Sequence, residues 1–307
     1  MITSIFSKSK PINSISVFVL LVLAFVLMLF KYKFSAQTEV SFLGLGLHFF
    51  ILFSSLFTLN FIVKKNSLTK DNNFATLCFG LFVVLLPEVF LERSILLSNL
   101  MVLLSFRRLA SLSTQRNTIK KLLDSGIFIA IATLFNAWAI WFIIMPFIAL
   151  VYHSEKIISY WLIPILGFSS IIILTHTFGV CFPEWYQLNI DVFFYSLKFV
   201  SYKSLQFILI ITFLLLLLLW SLVYYLPSIS EKKRIQWPSY KLALVYLLIA
   251  LFVIGMQPIK FGGEFLFVVT PFAIICANYF QNNSSKWIKD IVFLIWVLLA
   301  VILAFVR

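Results

Sequence analysis

Long apolar runs separated by short polar connections dominate this chain of 307 residues. The runs are continuous rather than alternating, as in residues 207–226, FILIITFLLLLLLWSLVYYL. Continuous runs of about twenty residues are typical of membrane-spanning helices, which satisfy their own backbone hydrogen bonds. Seven segments fit this pattern: residues 14–30, 41–63, 74–90, 205–226, 242–256, 265–280 and 291–306.

The segment FLERSILLSNLMVLLSFRRLASLSTQRNTIKK, residues 90–121, is harder to interpret. Only residues 94–106 separate the pair Glu92 and Arg93 from Arg107. These thirteen residues would span about 20 Å as a helix, against a hydrocarbon core of about 30 Å. Either the bilayer thins and the arginines extend to its surface, or the helix continues back through Glu92 and Arg93 and places them at membrane depth.

Residues 126–152 form an apolar run of ambiguous topology, and residues 158–180 form the next span. If residues 126–152 are one helix, the basic connection EKKRIQWPSYK, residues 231–241, lies on the opposite side from the other basic connections. With a single helix, all basic connections lie on one side only if residues 192–203 dip into the membrane. If they are two short helices that turn near residues 135–138, all basic connections share one side. We favour this hairpin.

Composition supports the same class of protein. The chain is 62% hydrophobic and 11% charged, with a mean hydropathy of +1.06. A soluble core does not need so much apolar surface. We therefore predict an all-α fold, a polytopic transmembrane helical bundle of about eleven spans (range nine to eleven) that includes short or broken helices and forms one integral membrane domain over residues 1–307.

The formal net charge of +13 is concentrated in four connections between the apolar runs. Because cytoplasmic loops of membrane proteins are enriched in Lys and Arg, this charge indicates orientation rather than binding to nucleic acid. The first apolar run follows a basic flank and ends at KYK without a small-residue cleavage site, so we expect an uncleaved first span and a cytoplasmic N-terminus. The basic connections contain Lys64, Lys65 and Lys70; Arg107, Arg108, Arg116, Lys120 and Lys121; Lys232, Lys233, Arg234 and Lys241; Lys286 and Lys289.

Common catalytic and metal-binding motifs are absent from the sequence, which contains no Walker A loop, dinucleotide-binding glycine pattern or zinc spacing. His48, His153 and His176 are far apart, so we predict no metal and no cofactor. His48 and His176 lie in or beside apolar runs, which favours hydrogen-bonded histidines in the core. The three cysteines make no disulfide framework and are expected to be buried: Cys78, Cys181 and Cys276.

The connections on the other side carry many of the acidic residues, including Glu39, Glu88, Glu92, Glu184, Asp191 and Glu264. Broken backbone at membrane depth is tolerated where it lines a cavity or is buried in protein, and MQPIKFGGEF, residues 256–265, interrupts two apolar runs with Pro and Gly. We therefore predict a substrate cavity that opens to the outer face, against the alternative that these residues only solvate loops or form a tight turn. The candidate cavity residues are Glu39, Glu88, Glu92, Arg93, Asn99, Lys260 and Glu264.

The basic segment of residues 107–121 has interleaved Leu and Ile. One interpretation is an interfacial amphipathic helix that contacts anionic membrane lipid; the other is that its charges only set topology. The candidate head-group residues are Arg107, Arg108, Arg116, Lys120 and Lys121.

Three stretches carry a resemblance to a known family: MITSIFSKSKPIN at the start, RSILLSNLMVLLSFRRLASLSTQRNTIKKLLDSGIFIAIATLF in the middle, and PIKFGGEF. Together they resemble an uncharacterised family of polytopic inner-membrane proteins from Bacteroidota. The resemblance implies a membrane and a lineage but no activity. Members are sometimes labelled carotene oxygenases, but three dispersed histidines do not match an iron site built from several histidines.

The chain is also similar, more weakly, to membrane glycosyltransferases that use polyprenyl-phosphate sugars. Those enzymes have a cytoplasmic N-terminus, many spans and acidic residues on the first outer loops, to which Glu39, Glu88 and Glu92 would correspond. The first outer loop here has about ten residues and lacks their extended acidic motif.

The leading functional hypothesis is an envelope-biogenesis protein that handles a lipid-linked or amphiphilic substrate in the outer cavity. The second is a non-enzymatic scaffold subunit with a membrane-protein partner. A transporter ranks third, because no inverted repeat or buried acidic relay is evident.

Overall fold

The computed structural model describes residues 6–7, 11–29, 42–153, 157–183, 205–257, 262–282 and 286–306. These residues form eleven α-helices and no strand, which confirms the predicted all-helical fold. The helices are α1 (Pro11–Met28), α2 (Phe42–Lys65), α3 (Phe74–Leu85), α4 (Arg93–Ala110), α5 (Thr118–Phe135), α6 (Ile144–Tyr152), α7 (Ser159–Cys181), α8 (Leu205–Ser230), α9 (Trp237–Met256), α10 (Leu266–Asn282) and α11 (Lys286–Val306).

Six of the described helices are long and apolar enough to cross a membrane, which indicates a membrane protein. They are α2, α4, α7, α8, α9 and α10. Other apolar helices are shorter, as expected for a bundle with short or broken helices. How many helices cross a bilayer stays a prediction, and so does the single-domain organisation.

Helices α3 and α10 form the centre of the bundle. Eleven residues of α3 are buried, and 94% of the most apolar window of α10 is buried. The two helices pack together through Phe82 and Phe272, whose ring centroids are 5.1 Å apart. Helices α1, α2 and α11 contact α3, and helices α8 and α9 contact α10.

Helix α3 is shorter than the single span expected over residues 74–90, and that prediction is wrong for residues 86–90. Leu86 precedes a proline and leaves the helical region, with φ −123° and ψ 69°, because the proline ring disfavours a helical residue before it. A 3₁₀ turn over Pro87–Phe90 follows. Twelve α-helical and four 3₁₀ residues rise only about 26 Å, so the chain reverses within the thickness of a typical hydrocarbon core.

Helix α4 resolves the ambiguity of the short segment. It begins at Arg93 and ends at Ala110, so it includes Arg107 and its neighbour in its last turn. Its eighteen residues extend about 27 Å, close to the thickness of the hydrocarbon core. Glu92 occupies the N-cap with an extended backbone, so the helix continues back through Arg93 but not through Glu92.

The apolar run 126–152 breaks at Asn136, within the expected turn. Asn136 is extended, with φ −141° and ψ 108°, and its side chain accepts a hydrogen bond from the Trp138 backbone N–H at 3.1 Å. A 3₁₀ segment, Ala137–Ile143, leads into α6. Asn136 therefore both ends α5 and caps the segment that follows.

The chain reverses direction at this break. Trp141 packs against Phe252 near the end of α9, with ring centroids 5.0 Å apart. Tyr152 lies near the start of α9, where the Lys241 ammonium is 5.6 Å from its ring centroid. The segment 137–152 therefore runs antiparallel to α9, as the hairpin interpretation requires.

Helix α7 packs on α5 through a glycine crossing. A Cβ on Gly126 would lie 2.2 Å from the Pro164 carbonyl oxygen, so the helices can approach this closely only at glycine. The rest of α7 is largely uncovered, with 11% of its most apolar window buried. His176 and Cys181 are exposed on it, so the prediction that they are buried is wrong.

Candidate functional site

Three basic connections meet at one end of the bundle. The Tyr240 hydroxyl donates to the Ser67 carbonyl at 3.1 Å, and the Ser239 hydroxyl donates to the Ala110 carbonyl at 2.9 Å. The end of α10 joins them, because the Lys70 backbone N–H donates to the Gln281 side-chain oxygen at 2.6 Å. We call this the basic end; its described cations are Lys64, Lys65, Lys70, Arg107, Arg108, Arg116, Lys120, Lys121, Lys232, Lys233, Arg234, Lys241 and Lys289.

Burial and neighbouring charge act together on one cation in the loop between α8 and α9. Burial lowers the pKa of Lys232, and the nearby charge of Lys70 lowers it further, whereas Glu231 opposes the shift. Two connections that are far apart in sequence are therefore close enough to interact electrostatically.

The connection between α4 and α5 is a tight turn, so the predicted interfacial amphipathic helix is wrong. Helix α4 ends at Ala110, and a 3₁₀ turn over Ser111–Thr114 follows. Gln115 and Asn117 then adopt positive φ values of 50° and 54°, which turn the chain directly into α5. Residues 107–121 are divided between two helix ends and this turn.

The five head-group candidates have different environments. Arg107 lies over Phe61 of α2, with 4.5 Å from its guanidinium carbon to the ring centroid. Arg108 pairs with Asp124 at 2.9 Å. The Lys121 ammonium donates to the Thr114 hydroxyl at 2.7 Å. Arg116 and Lys120 are exposed.

A glycine turn at the opposite end leads into α10. Gly262 has a φ of +95°, a conformation that side chains rarely adopt, and its backbone N–H donates to the Glu264 carboxylate at 2.8 Å. The 3₁₀ turn Gly263–Phe265 packs on the 3₁₀ turn Pro87–Phe90. We call this the carboxylate end and define it by Pro87–Phe90, Leu91, Glu92 and residues 262–265.

The glycine turn lies directly against two further glutamates. A Cβ on Gly263 would be 3.6 Å from the Glu92 Cβ and 3.7 Å from the Glu88 carbonyl oxygen. A Cβ on Gly262 would be 3.2 Å from the Glu88 Cβ and 2.9 Å from the Phe207 ring. The fold therefore brings together Glu88, Glu92 and Glu264, three of the predicted site residues, from two distant parts of the chain.

Two of these glutamates are buried. The exposed fraction is 0% for Glu264 and 6% for Glu88, whereas Glu92 is half-buried and Arg93 is exposed. Burying a carboxylate is costly unless it is paired or hydrogen-bonded, and ionisable groups at membrane depth commonly mark functional sites. A ligand can therefore contact the half-buried Glu92 more readily than the buried Glu88 and Glu264.

Asn99 lies seven residues after Glu92, which places it on the same face of α4 about two turns deeper. It is completely buried, and neither its side-chain oxygen nor its nitrogen has a hydrogen-bond partner among the described residues. Its neighbour Ser98, by contrast, donates to the Ala132 carbonyl at 3.0 Å. Buried polar groups are nearly always hydrogen-bonded in proteins, so Asn99 is an exceptional position.

His48 contributes to the carboxylate end in a way that the sequence did not indicate. It is buried, as predicted, and its Nδ1 donates to the Phe90 carbonyl at 2.8 Å. This bond ties α2 to the 3₁₀ turn that carries Glu88. The sequence predicted a hydrogen-bonded histidine but gave no indication of its partner.

Two predicted cavity residues, Glu39 and Lys260, lie outside the described residues. The described part of the chain contains no group of three His, Cys, Asp or Glu side chains that could hold a metal ion. Proximity of the glutamate backbones therefore does not by itself create a metal site there.

No curated protein and no solved structure matches the chain. A family model described as a family of unknown function, DUF6427, matches residues 1–307. This match agrees with the resemblance of the sequence to an uncharacterised family, and because the match covers the whole chain, the protein belongs to the family of unknown function DUF6427.

Proposed function

We propose that this protein handles a lipid-linked or otherwise amphiphilic substrate of cell-envelope biogenesis at its carboxylate end. In this proposal the protein lies in a bacterial inner membrane, with its N-terminus and basic end in the cytoplasm. The carboxylate end then opens to the outer face. The observation that carries the proposal is the convergence of Glu88, Glu92 and Glu264 above Asn99, whose side chain has no hydrogen-bond partner among the described residues.

The charge distribution supports the orientation. Cations from separate connections gather at one end, as the positive-inside rule expects of cytoplasmic loops. The carboxylate end lies at the other ends of α4 and α10. A substrate that reaches Glu92 therefore approaches from the outer side.

The depth of the carboxylate end supports an amphiphilic substrate. The short α3 and its 3₁₀ turn place Glu88 about 20 Å from the start of α3, which is inside the thickness of a bilayer core. Broken backbone at such depth is tolerated where it is buried in protein or lines a cavity. A polar head group could reach the half-buried Glu92 there while its lipid tail remains in the surrounding membrane, and it would contact the buried Asn99 only after the side chains above it move apart.

The glutamates also suggest a chemical role. Glu92 is half-buried beside two more buried glutamates, and a carboxylate in such a position can accept a proton from a sugar or phosphate-linked hydroxyl. This is the general-base role that a glycosyltransferase-like reaction would require. Asn99 would then hydrogen-bond the head group rather than take part in proton transfer.

Complementation of a deletion strain tests the proposal. Glu92→Ala and Arg93→Ala change half-buried and exposed side chains, so the protein level should remain normal while complementation is lost. The matched control is the exposed pair Glu231→Ala and Lys233→Ala at the basic end, which should complement fully. Full complementation by the Glu92 and Arg93 variants at normal protein level would show the proposal to be wrong.

Asn99→Leu separates function from folding. Leucine removes two buried polar atoms that have no partner among the described residues, so the melting temperature should stay the same or rise. If Asn99 binds a head group, complementation should nevertheless be lost. A stable Asn99→Leu protein with normal complementation would remove Asn99 from the proposed site.

A second candidate function, a non-enzymatic scaffold subunit, is favoured by α7. Its large uncovered apolar surface offers a membrane-embedded face for another protein. This candidate predicts a stable co-purifying membrane protein and tolerance of single substitutions at the carboxylate end.

A further inference from the structure

One cavity lies between α1, α2 and α3, far from the carboxylate end, and a second adjoins it along the surface of α2. One has a volume of about 280 Å³ and is lined by residues that include Ser14 of α1, Phe53 of α2 and Thr76 of α3. The other has a volume of about 420 Å³ and extends to Lys64 and Lys65. The cavities are adjacent, because both are lined by Phe57 and Asn60, and we call the two together the crevice.

The crevice follows one face of α2. Phe53, Phe57, Phe61 and Lys65 recur every four residues and therefore form a single stripe along the helix. The stripe is about 18 Å long, close to the roughly 15 Å thickness of one leaflet of the hydrocarbon core. Phe57 and Phe61 are exposed, so the crevice is accessible from the side of the bundle.

Polarity changes along the stripe in the same order as in a phospholipid. Its deep part is mainly apolar and contains Phe53 and Phe57, with the small polar side chains of Ser14 and Thr76 beside them. Asn60 lies next, about 6 Å along the helix before Lys64, at the level where the glycerol esters of a lipid would lie. Lys64 and Lys65 are exposed at the end.

A third cation reaches the same end of the crevice. The guanidinium of Arg107 lies 4.5 Å from the Phe61 ring centroid, and the ammonium of Lys65 lies 5.3 Å from it. Phe61 thus holds two cations from different helices beside the opening. A negatively charged group at this position would neutralise repulsion between them.

We propose that the crevice binds one anionic phospholipid of the adjacent leaflet, with its phosphate at Lys64, Lys65 and Arg107 and an acyl chain along Phe61, Phe57 and Phe53. This site is separate from the carboxylate end and does not depend on the substrate proposed there. Of the five head-group residues expected from the sequence, only Arg107 belongs to this site, through its contact with Phe61, whereas Arg116 and Lys120 do not line the crevice.

The chemistry favours a phospholipid over other anions. A soluble phosphate would leave the aromatic stripe unused, and a zwitterionic lipid would place a second positive charge near three cations. An anionic phospholipid satisfies both parts of the crevice, since each basic residue near a membrane surface and each buried methylene group adds to the affinity.

Native mass spectrometry of the full-length protein in detergent, titrated with phosphatidylglycerol, tests the inference. The wild-type protein should bind one phosphatidylglycerol preferentially over phosphatidylcholine of the same chain length. The double variant Lys64→Gln, Lys65→Gln should weaken binding about 30-fold, from about 1 kcal/mol for each lysine. Glycerol phosphate, the free head group, should not displace phosphatidylglycerol when both are present at the same concentration.

Two further variants make the test specific. Arg116→Gln with Lys120→Gln removes the same charge from the same end and should bind phosphatidylglycerol like the wild type. Ser14→Phe leaves every charge in place but fills the crevice, so it should also lose the bound lipid. Melting temperatures confirm that each variant is folded.

Three results would overturn the inference. The first is equal binding of phosphatidylcholine and phosphatidylglycerol by the wild-type protein. The second is an equal loss of phosphatidylglycerol binding in the Lys64→Gln, Lys65→Gln variant and the Arg116→Gln, Lys120→Gln variant. The third is unchanged phosphatidylglycerol binding by folded Ser14→Phe. None of these results bears on the function proposed for the carboxylate end, which is tested separately by complementation with the Glu92 and Arg93 variants.

Discussion

The two ends of the bundle hold their charges in opposite ways. At the basic end, cations are exposed or half-buried and lie over aromatic rings, as Lys241 does over Trp237 at 5.7 Å. At the carboxylate end, Glu264 and Glu88 are buried beneath a glycine turn. Exposed charges cost little and tolerate change, whereas a buried carboxylate depends on its hydrogen-bond partners. This contrast is the one expected if, as proposed above, the basic end orients the protein and the carboxylate end binds its substrate.

The largest expected effect concerns a glycine of the carboxylate end. Gly262→Ala places a Cβ at 2.9 Å from the Phe207 ring at a φ of +95°, and should lower the free energy of unfolding by about 1–3 kcal/mol or more. The matched control is Gly255→Ala in α9, where a Cβ would meet nothing within 4 Å. Melting temperature and the yield of monodisperse protein measure both changes. Equal stability of the two variants would show that the turn is not constrained.

A smaller difference is expected between two glutamates. Glu264→Ala removes the acceptor of the Gly262 N–H and should lower the free energy of unfolding by about 1.5–3 kcal/mol, because a charge-assisted hydrogen bond is lost in a buried site. Glu264→Gln keeps an acceptor and should lose less. The exposed Glu231→Ala at the basic end should change stability by less than about 0.5 kcal/mol. Thermal unfolding in one detergent compares all three, and a loss for Glu231→Ala as large as that for Glu264→Ala would contradict the contrast.

The smallest expected effect is at the ion pair of the basic end. Arg108 and Asp124 are 2.9 Å apart, but their side chains are 41% and 30% exposed. A double-mutant cycle with Arg108→Ala and Asp124→Ala should give a coupling of about 0.2–1 kcal/mol that declines with added salt. A larger coupling that persists at high salt would contradict the contrast, because it would show that this ion pair also contributes strongly to stability at the basic end.

Much of the fold follows from sequence because its causes are local. Apolar runs set the helices, and the basic connections predicted the turn at Asn136, where a single helix would have placed one connection on the wrong side. Residues 94–106 alone looked too short for a span. The helix is longer than this segment because α4 also includes Arg93 and Arg107 at its ends. Pro87 ended α3 earlier than its apolar run indicated.

Contacts between distant segments could not be predicted in the same way. The sequence grouped Glu88, Glu92 and Glu264 by their side of the membrane, but only packing shows that Gly263 lies against the first two. The predicted amphipathic helix was wrong because Gln115 and Asn117 turn with positive φ, which periodicity does not reveal. The crevice was missed although its phenylalanines recur every four residues, because such a stripe is equally typical of helix packing.

The most direct test of the central claim is an experimental structure of the protein extracted with its native lipids. We expect an elongated amphiphile at the carboxylate end, with its head group beside Glu92 and hydrogen-bonded to Asn99, and its tail directed between the helices. A closed, ligand-free carboxylate end together with another protein along α7 would contradict the account and favour the scaffold function.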